Sequence, residues 1–355
     1  MRICLASLHP RMLSGQIESL VALGRGLRAL GHDVRLVSAF PEAVLYHDTR
    51  WTLAGGDARS LGPKVLRIGR IVRDVCRAAR EADVVHLNLP TPAFALVGDL
   101  VQAATRRPVV VGYEAHLCSP GTLLGEGHFR RAPAFYGPRV VVNNRLVARL
   151  AAHRCSRYVV GSAVQRQELL ALGLPPGKIA VLPTLIDTTK LRRWPRVEAR
   201  RRLGLPPTEP LVAYVGHYHP VKGVELLPAA LRRLQRAVPG AHLALAWSGL
   251  GERRPVLEAI ERAGVRDRVI EIGRVEVGQV LSAADVVAAP YVLTIGQAAL
   301  PAVLLEAMHL GTPLVTSDLP LLRELTGDGE AAQLVKPGDS GSLAAGLAAL
   351  LCDPG

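Results

Sequence analysis

Short apolar runs alternate with longer amphipathic segments along the first half of the chain. The runs that predict strands are ICLASL, DVRLVSA, DVVHLNL, RPVVVGYE and RYVVGS, and segments with a helical period, such as SLVALGRGLRALG and VLRIGRIVRDVCRAAREA, lie between them. Strands that are buried on both faces have continuous rather than alternating apolar sequences. The pattern therefore predicts an α/β fold with a parallel sheet covered by helices.

The same pattern repeats after residue 205. The second set of predicted strands is PLVAYVG, AHLALAWSG, RVIEIG, DVVAAP and PLVTSD, with helices such as ELLPAALRRLQRAV and RPVLEAIERAG between them. We predict two tandem Rossmann-like, doubly wound domains, residues 1–190 and 211–355, joined by a linker at 191–210 that is rich in Pro and Arg. Ligands bind at the carboxyl ends of parallel strands, so we expect the two domains to face a cleft.

Length and composition agree with this organisation. The chain has 355 residues, enough for two ordinary domains. No stretch approaches the roughly 18 uninterrupted apolar residues of a membrane span, and the first residues lack the features of a signal peptide. The sequence thus predicts a cytoplasmic protein. Its five cysteines form no CxxC pair, which argues against a zinc site or a disulfide framework.

The net charge of +13 comes mainly from arginine, because only five of the 43 basic residues are lysine. The bias has two interpretations, a coding preference or an adaptation to anionic partners such as phosphorylated ligands or an anionic membrane. No aromatic residues are interleaved with the basic ones, so nucleic acid is not a predicted partner. The arginines cluster at 130, 131, 139, 145, 149, 154 and 157, and at 192, 193, 196, 200, 201 and 202.

Two loops that precede helices are candidates for binding an anion. In the first, HPRMLSGQIESL, Ser14 and Gly15 allow backbone N–H groups to approach a ligand, although Ser14 as an ordinary helix cap explains the same residues. In the second, YVLTIGQAALPAVLLEAM, the amides of residues 297–300 precede a helix whose dipole would suit a diphosphate. The residues of this second loop are Gln297, Ala298, Ala299 and Leu300.

Two charged residues of the second domain stand out. The predicted strand PLVAYVG ends at Gly216 and is followed by His217 and, five residues later, by Lys222. A lysine near a strand end can stabilise the growing negative charge of a leaving diphosphate. The alternative is a solvated surface lysine. Glu306 lies within the apolar run PAVLLEAM, where a carboxylate can accept hydrogen bonds from the two hydroxyls of a ribose.

The segment PAVLLEAMHLGTPLVTSD resembles the donor-binding signature of family 4 of the retaining GT-B glycosyltransferases (glycosyl transferases group 1). The spacing back to VGHYHPVKGVELL also fits that family. The resemblance assigns Lys222 to the family's Lys-Gly pair, Glu306 to its ribose-binding glutamate, and Gly273 with Arg274 to the segment near the nucleobase. In the first half, SGQIESLVALGRGLRALGHDVRLVS and VVVGYEAHL, with His116, are similar to the family more loosely.

The sequence departs from the family at two positions. An acid usually stands eight residues before the second glutamate, and that position is Ala298, with Gln297 adjacent to supply an amide instead. The arginine that usually follows the glycine of the first strand is His217, which lacks the fixed fork of a guanidinium. These departures affect the predicted donor more than the predicted fold.

The resemblance implies a hexosyl transfer with retention, from a nucleoside-diphosphate sugar, UDP-linked by default, to a small-molecule or lipid-linked acceptor hydroxyl. Lys222, with His217 or Arg274, would stabilise the leaving diphosphate, and His116 would contact the sugar or the acceptor. Neither a metal nor another cofactor is expected, since the sequence has no Asp-x-Asp cluster.

Two other functions remain open. Ala298 and His217 are also compatible with a catalytically inactive GT-B protein that binds a nucleotide or a partner. A nucleotide-sugar epimerase would use the same fold and convert its substrate without an acceptor. Peripheral contact of the first domain with an anionic membrane is a separate hypothesis, based on its arginine cluster.

Overall fold

The computed structural model describes residues 1–7, 15–38, 51–53, 64–89, 95–113, 157–294 and 301–352. The described chain forms two compact units. Unit 1 runs from Met1 to Ile186, and unit 2 comprises Asp187–Thr294 and the described residues from Pro301 onward. None of the helices within these ranges combines the length and the apolar character of a membrane span.

Unit 1 is built on a sheet of seven strands in the order β3-β2-β1-β4-β5-β6-β7, with every neighbouring pair parallel. The strands are β1 (Arg2–Ser7), β2 (Asp33–Ser38), β3 (Trp51–Leu53), β4 (Val84–Leu89), β5 (Val109–Tyr113), β6 (Arg157–Val160) and β7 (Ile179–Val181). The described helices are α1 (Gly15–Ala29), α2 (Lys64–Ala79), α3 (Ala95–Thr105) and α4 (Ala163–Ala171).

Alternate residues of β1 enter two different cores, one on each face of the sheet. Ile3 and Leu5 pack with Leu20 of α1, whereas Cys4 and Ala6 belong to the larger core that includes Val75 of α2. Burial of the Cys4 side chain raises the pKa of its thiol to about 12, as expected for an inert core cysteine. Unit 1 is therefore covered by helices on both faces, as the continuous apolar strands predicted.

Unit 2 repeats this topology with six parallel strands in the order β10-β9-β8-β11-β12-β13. The strands are β8 (Leu211–Tyr218), β9 (His242–Gly251), β10 (Val269–Ile272), β11 (Val286–Ala289), β12 (Leu314–Ser317) and β13 (Gln333–Val335). The helices are α5 (Arg196–Leu203), α6 (Leu227–Leu234), α7 (Arg253–Ala263), α8 (Val277–Ala283), α9 (Ala302–Leu310), α10 (Pro320–Leu325) and α11 (Ser340–Cys352).

The two faces of the second sheet carry separate cores. Val212 and Tyr214 of β8 pack on the face covered by α6, α7 and α11, and Leu211 and Ala213 pack on the face covered by α5, α8, α9 and α10. The predicted fold class, two doubly wound α/β domains in one chain, is confirmed. The three-residue strands β3 and β13 had not been predicted, because so short an edge strand has no recognisable apolar run.

Residues 191–210, which we expected to be a linker, are an integral part of unit 2. The division between the units falls after Ile186, and residues 196–203 form the helix α5, which packs on α8. The Arg200 side chain is only 1% exposed and forms an ion pair with Asp285. Its guanidinium also donates to the carbonyl oxygens of Pro206, Pro207, Glu209 and Ala283.

This buried arginine explains why composition was misleading in this segment. A Pro- and Arg-rich stretch indicates a linker when its charges are solvated. Here the ion pair with Asp285 and the bonds to four carbonyl groups offset the cost of burying Arg200. Burial still lowers the pKa of Arg200 to about 10, so the side chain remains charged at neutral pH.

Candidate functional site

The order in which strands are added to the sheet of unit 2 reverses between β8 and β11. The chain adds β9 and β10 on one side of β8, and then β11, β12 and β13 on the other. In open parallel sheets, ligands bind beyond the carboxyl ends of the two strands at such a switch point, because the loops diverge there. The residues that follow β8 and β11 are therefore the first candidates for a functional site.

The turn after β8 and the loop after β11 are hydrogen-bonded to each other. The backbone N–H groups of Val292 and Leu293 donate to the carbonyl oxygen of Val221 at 2.8 and 3.3 Å. Gly223 ends the turn at a φ of +64°, and a Cβ at this position would overlap the carbonyl oxygen of Pro290. Only glycine fits both this dihedral angle and this contact, so the turn that carries Lys222 is held in one conformation.

The ammonium group of Lys222 lies among uncharged groups. Its Nζ is 5.7 Å from the ring centroid of Tyr291, a distance at which a cation is attracted to the aromatic face. A Cβ on Gly216, which has a φ of +151°, would lie 3.4 Å from this Nζ and 3.3 Å from the hydroxyl oxygen of Tyr214. A larger residue than glycine at position 216 would crowd the ammonium group.

Lys222 forms no ion pair with any residue that the structure describes. Burial lowers the pKa of its ammonium to about 8, because removal from water disfavours the charged form. A half-buried cation without a described acidic partner is stabilised by an incoming anion, which supplies the missing countercharge. Lys222 is therefore suited to binding a phosphate-like group, and its role at a leaving diphosphate stays a prediction.

Two histidines flank Lys222 and are uncharged at neutral pH. Burial, followed by the nearby charge of Lys222, lowers the pKa of His217 to about 4, and the same two causes lower the pKa of His219. The Nδ1 of His217 is hydrogen-bonded to the hydroxyl of Ser248, and the Nδ1 of His219 accepts from the N–H of Val221 at 3.4 Å. Both rings therefore act as neutral hydrogen-bonding groups.

Tyr214 fixes the backbone of the same strand end. Its buried hydroxyl donates to the carbonyl oxygen of His217 at 2.6 Å, and burial raises the pKa of Tyr214 well above its usual value. Sequence reasoning did not find Tyr214, Ser248 or Tyr291. Tyr214 lies two residues before Gly216, which is a weak signal, but Ser248 and Tyr291 come from other strands and have no motif of their own.

The other predicted site residues of unit 2 are distributed over its elements. Gly273 and Arg274 follow β10, are exposed, and lie at the same edge of the sheet as Lys222 with β9 between. Glu306 is the fifth residue of α9 and is half-buried. The described contacts thus bring Gly216, His217 and Lys222 together, and the roles of Gly273, Arg274 and Glu306 stay predictions.

Several predicted residues lie outside the described part of the chain. Gly15 is the first residue of α1, and nothing further is described of it. The residues outside are Ser14, His116, Gln297, Ala298, Ala299 and Leu300. Their assignments likewise stay predictions.

A small cavity in unit 1 adjoins β4, β5 and β6. Ser19, His86, Gly112 and Leu185 are among the residues that line it, and the Ser19 hydroxyl accepts a hydrogen bond from the N–H of Leu185 at 3.1 Å. Burial lowers the pKa of His86 to about 4, so its imidazole is neutral at neutral pH. The cavity offers polar but uncharged groups near the switch point of the first sheet.

The arginines of the second cluster mostly bind protein groups. Arg196 and Arg200 pair with Asp285, and Arg201 and Arg202 pair with Glu198. The guanidinium groups of Arg192 and Arg202 lie over the ring of Trp194, 4.3 and 4.5 Å from its centroid. In the first cluster only Arg157 is described, and it donates to the carbonyl oxygen of Gly177.

Comparison with known proteins agrees with this architecture. The family described as Glycosyltransferase Family 4 matches residues 13–190, and the family described as Glycosyl transferases group 1 matches residues 209–353. In a crystal structure of Anabaena Alr3699/HepE in complex with UDP-glucose, the fold is similar with a TM-score of 0.78, 20% identity, and coverage of 99% of this chain and 90% of that one.

Two curated relatives are similar in sequence. A D-inositol 3-phosphate glycosyltransferase of Nocardia farcinica is 34% identical over 208 residues, which are 56% of this chain and 45% of that protein. The chain thus spans about half the length of that relative. A phosphatidyl-myo-inositol mannosyltransferase of Mycolicibacterium smegmatis is 26% identical over 361 residues, covering 99% of this chain and 85% of the relative. The tandem Rossmann-like units and both matching families lead to one conclusion: the chain belongs to family 4 of the GT-B glycosyltransferases, the glycosyl transferases group 1.

Proposed function

We propose that the chain is a glycosyltransferase that moves a hexosyl group from a nucleoside-diphosphate sugar to an acceptor hydroxyl, with retention of the anomeric configuration. The observation that carries the proposal is Lys222, a half-buried cation without a described acidic partner at the switch point of the second sheet. Membership of family 4 supports it.

The chemistry requires stabilisation of a leaving group. The bond between the anomeric carbon and the diphosphate oxygen breaks, and negative charge accumulates on the diphosphate. Lys222 would neutralise that charge in a site of low polarity, where a fixed cation has a large effect. The acceptor oxygen attacks the same face of the sugar, and its proton passes to an oxygen of the departing diphosphate. No metal and no further cofactor takes part in this scheme.

The remaining predicted residues would hold the donor. Glu306 would accept hydrogen bonds from the ribose hydroxyls, and Gly273 and Arg274 would lie near the nucleobase. The amides from Gln297 to Leu300 would contact the diphosphate, and Ser14 and Gly15 are the further residues that we assign to donor binding. Uridine is the base we propose, and the complex of Anabaena Alr3699/HepE with UDP-glucose supports this choice.

The acceptor that we propose carries an inositol phosphate. The names of both curated relatives contain an inositol with a phosphate or phosphatidyl group, one a small molecule and the other a lipid. His116 would contact this acceptor or the transferred sugar. If the acceptor is the lipid, unit 1 would contact an anionic membrane through its arginine cluster. Flotation with anionic vesicles at low and moderate salt tests this contact, and absence of binding at both salt concentrations excludes it.

Calorimetry with UDP, GDP and ADP tests the donor site. We expect one diphosphate to bind more tightly than the others, and Glu306→Ala to weaken that binding about tenfold or more because a ribose contact is lost. Glu261→Ala removes an exposed carboxylate of α7 in the same unit and should leave the affinity unchanged. If none of the three diphosphates binds, the proposal fails.

Product analysis distinguishes the alternative functions. The purified protein is incubated with UDP-hexoses, with and without inositol phosphate or phosphatidylinositol vesicles. A new glycoside whose anomeric configuration matches the donor supports the proposal. Conversion of the nucleotide sugar without an acceptor would indicate an epimerase. Tight nucleotide binding with neither transfer nor hydrolysis would indicate an inactive binding protein.

A further inference from the structure

His217 occupies an irregular part of the second sheet. The parallel pairing of β8 with β9 is regular as far as Gly216, which lies opposite Trp247, and resumes at Tyr218, which lies opposite Gly251. His217 therefore faces the segment Ser248–Leu250. Gly249 and Gly251 have φ angles of +86° and +90°, so this segment turns sharply and directs the Ser248 side chain toward β8.

The position of the Ser248 hydroxyl is set by the backbone around it. Its oxygen accepts a hydrogen bond from the N–H of Leu250 at 3.3 Å, and the carbonyl of Leu250 accepts from the indole N–H of Trp247 at 2.8 Å. The Trp247 ring in turn stacks on Tyr218, with 5.2 Å between the ring centroids. Both the N–H and the carbonyl group of Leu250 are thus hydrogen-bonded.

The hydrogen bonds of Ser248 favour one tautomer of His217. A serine hydroxyl has one proton to donate and two lone pairs to accept with. One lone pair of Ser248 Oγ accepts from Leu250, and within the described residues Nδ1 of His217 is the only acceptor for its proton. When the hydroxyl donates this proton to Nδ1, Nδ1 is unprotonated and the proton of the neutral imidazole is on Nε2.

We propose that Ser248 is a positioning residue: it holds His217 in the Nε2–H form, so that Nε2–H is a neutral donor to an anionic oxygen of the ligand bound beside Lys222. This inference rests on the proposed function. The low pKa of His217 agrees with it, because burial and the charge of Lys222 disfavour a second proton on the ring. His217 thus replaces the charged fork of the family's arginine by one uncharged hydrogen bond.

The tautomer is measured directly by long-range ¹H–¹⁵N NMR of the full chain labelled with ¹⁵N-histidine. His217→Gln identifies the His217 signals among those of the 11 histidines. At neutral pH we expect Nδ1 to resonate as an unprotonated nitrogen and Nε2 as a protonated one. Ser248→Ala should give a mixture of the two tautomers, and Ser248→Thr, which keeps the hydroxyl, should restore the wild-type spectrum. A proton on Nδ1 in the wild type overturns the proposal, as does an unchanged tautomer in Ser248→Ala.

Binding of UDP tests the donor role. A glutamine amide can reach the place of Nε2, whereas an asparagine amide ends near the place of Nδ1. We therefore expect His217→Gln to stay within about threefold of the wild-type affinity and His217→Asn to lose about tenfold, the effect of one neutral hydrogen bond. Equal losses in both variants contradict the donor role. If the wild type binds no UDP, the proposed function fails, while the NMR measurement still decides the role of Ser248.

Discussion

The groups around Lys222 favour the binding of an anion by its ammonium. Gly216 and Tyr291 lie close to its ammonium, no ion pair with a carboxylate is formed within the described residues, and both neighbouring histidines are uncharged at neutral pH. A ligand at this turn would therefore meet the positive charge of Lys222 beside neutral hydrogen-bonding groups. Two predictions follow for this residue.

Replacement of Lys222 by methionine should weaken the binding of UDP. A charge-assisted hydrogen bond contributes about 1.5–3 kcal/mol, so the dissociation constant should rise roughly 10- to 150-fold in calorimetry. The control is Lys336→Met, which removes the same charge from an exposed position of unit 2. An affinity in Lys222→Met equal to that of the control would remove Lys222 from the site.

The affinity for UDP should also fall as the pH rises above about 8. The pKa of Lys222 is about 8 in the free protein, and a bound diphosphate raises it by favouring the ammonium. Binding therefore takes up a proton between these two pKa values, and the association constant should decrease about tenfold per pH unit there. Calorimetry from about pH 7 to 9.5 measures the slope. Lys222→Met should show no such slope, and a flat wild-type profile would exclude titration of Lys222.

At the scale of the elements, two features position the site. The turn after β8 is fixed to the loop after β11 by the Val221 carbonyl and by the close approach of Gly223 to Pro290. At the opposite edge of the sheet, where β8 and β11 begin, α5 is fixed to the segment between α8 and β11 through Arg200 and Asp285. Each feature joins parts of the chain that are distant in sequence. A single substitution in each should therefore show its effect on stability and on UDP binding.

Gly223→Ala should destabilise unit 2 and abolish UDP binding. A positive φ costs a non-glycine residue about 1–2 kcal/mol, and here the new Cβ also meets the Pro290 carbonyl oxygen. The matched control is Gly264→Ala, because Gly264 has a φ of +62° and no atom within 4 Å of the added Cβ. Urea unfolding should give the control a loss of about 1 kcal/mol with unchanged UDP affinity. Equal losses of stability in the two variants would contradict the proposed overlap.

Arg200→Met should lower the free energy of unfolding by about 3–5 kcal/mol. The substitution leaves four carbonyl oxygens without their donor and removes one partner of a buried ion pair. Arg201→Met is the control, since its side chain is 71% exposed and pairs only with Glu198 of the same helix. Chemical denaturation should show no measurable change in the control. A stable Arg200→Met variant would mean that residues 191–210 behave as the linker that composition suggested.

At the scale of the whole molecule, the chain comprises two units with separate cores. Within the described residues, the core clusters of unit 1 and those of unit 2 share no residue. A ligand that binds only the folded protein stabilises it by mass action, to an extent set by its concentration and affinity. Stability can therefore report on the site without any assay of activity.

UDP in 100-fold excess over its dissociation constant should raise the free energy of unfolding of the unit that binds it by about 2.7 kcal/mol. Differential scanning calorimetry should show a higher unfolding temperature, and hydrogen exchange should slow at residues 216–223 and 290–294. At the same concentration, Lys222→Met should show neither effect. Slower exchange confined to unit 1 would place the nucleotide elsewhere.

Much of the fold was predictable because strands that are buried on both faces of a sheet have continuous apolar sequences. The runs PLVAYVG and DVVAAP were recognised as strands, and β8 and β11 occupy them. Lys222, Gly216 and His217 were singled out from their place at a strand end, and the structure brings them together there. The segment 191–210 was not interpreted correctly, because the carboxylate that pairs with Arg200 is 85 residues further along the chain.

The sequence by itself determined the two Rossmann-like units, the family, and the loop in which Lys222 lies, because hydrophobic periodicity and short motifs are local properties. The tertiary structure decided what surrounds that lysine. Tyr291 approaches it from the loop after β11, and Ser248 contacts His217 from 31 residues away. The pKa of a group and the tautomer of a ring depend on such neighbours, and only folding brings them together.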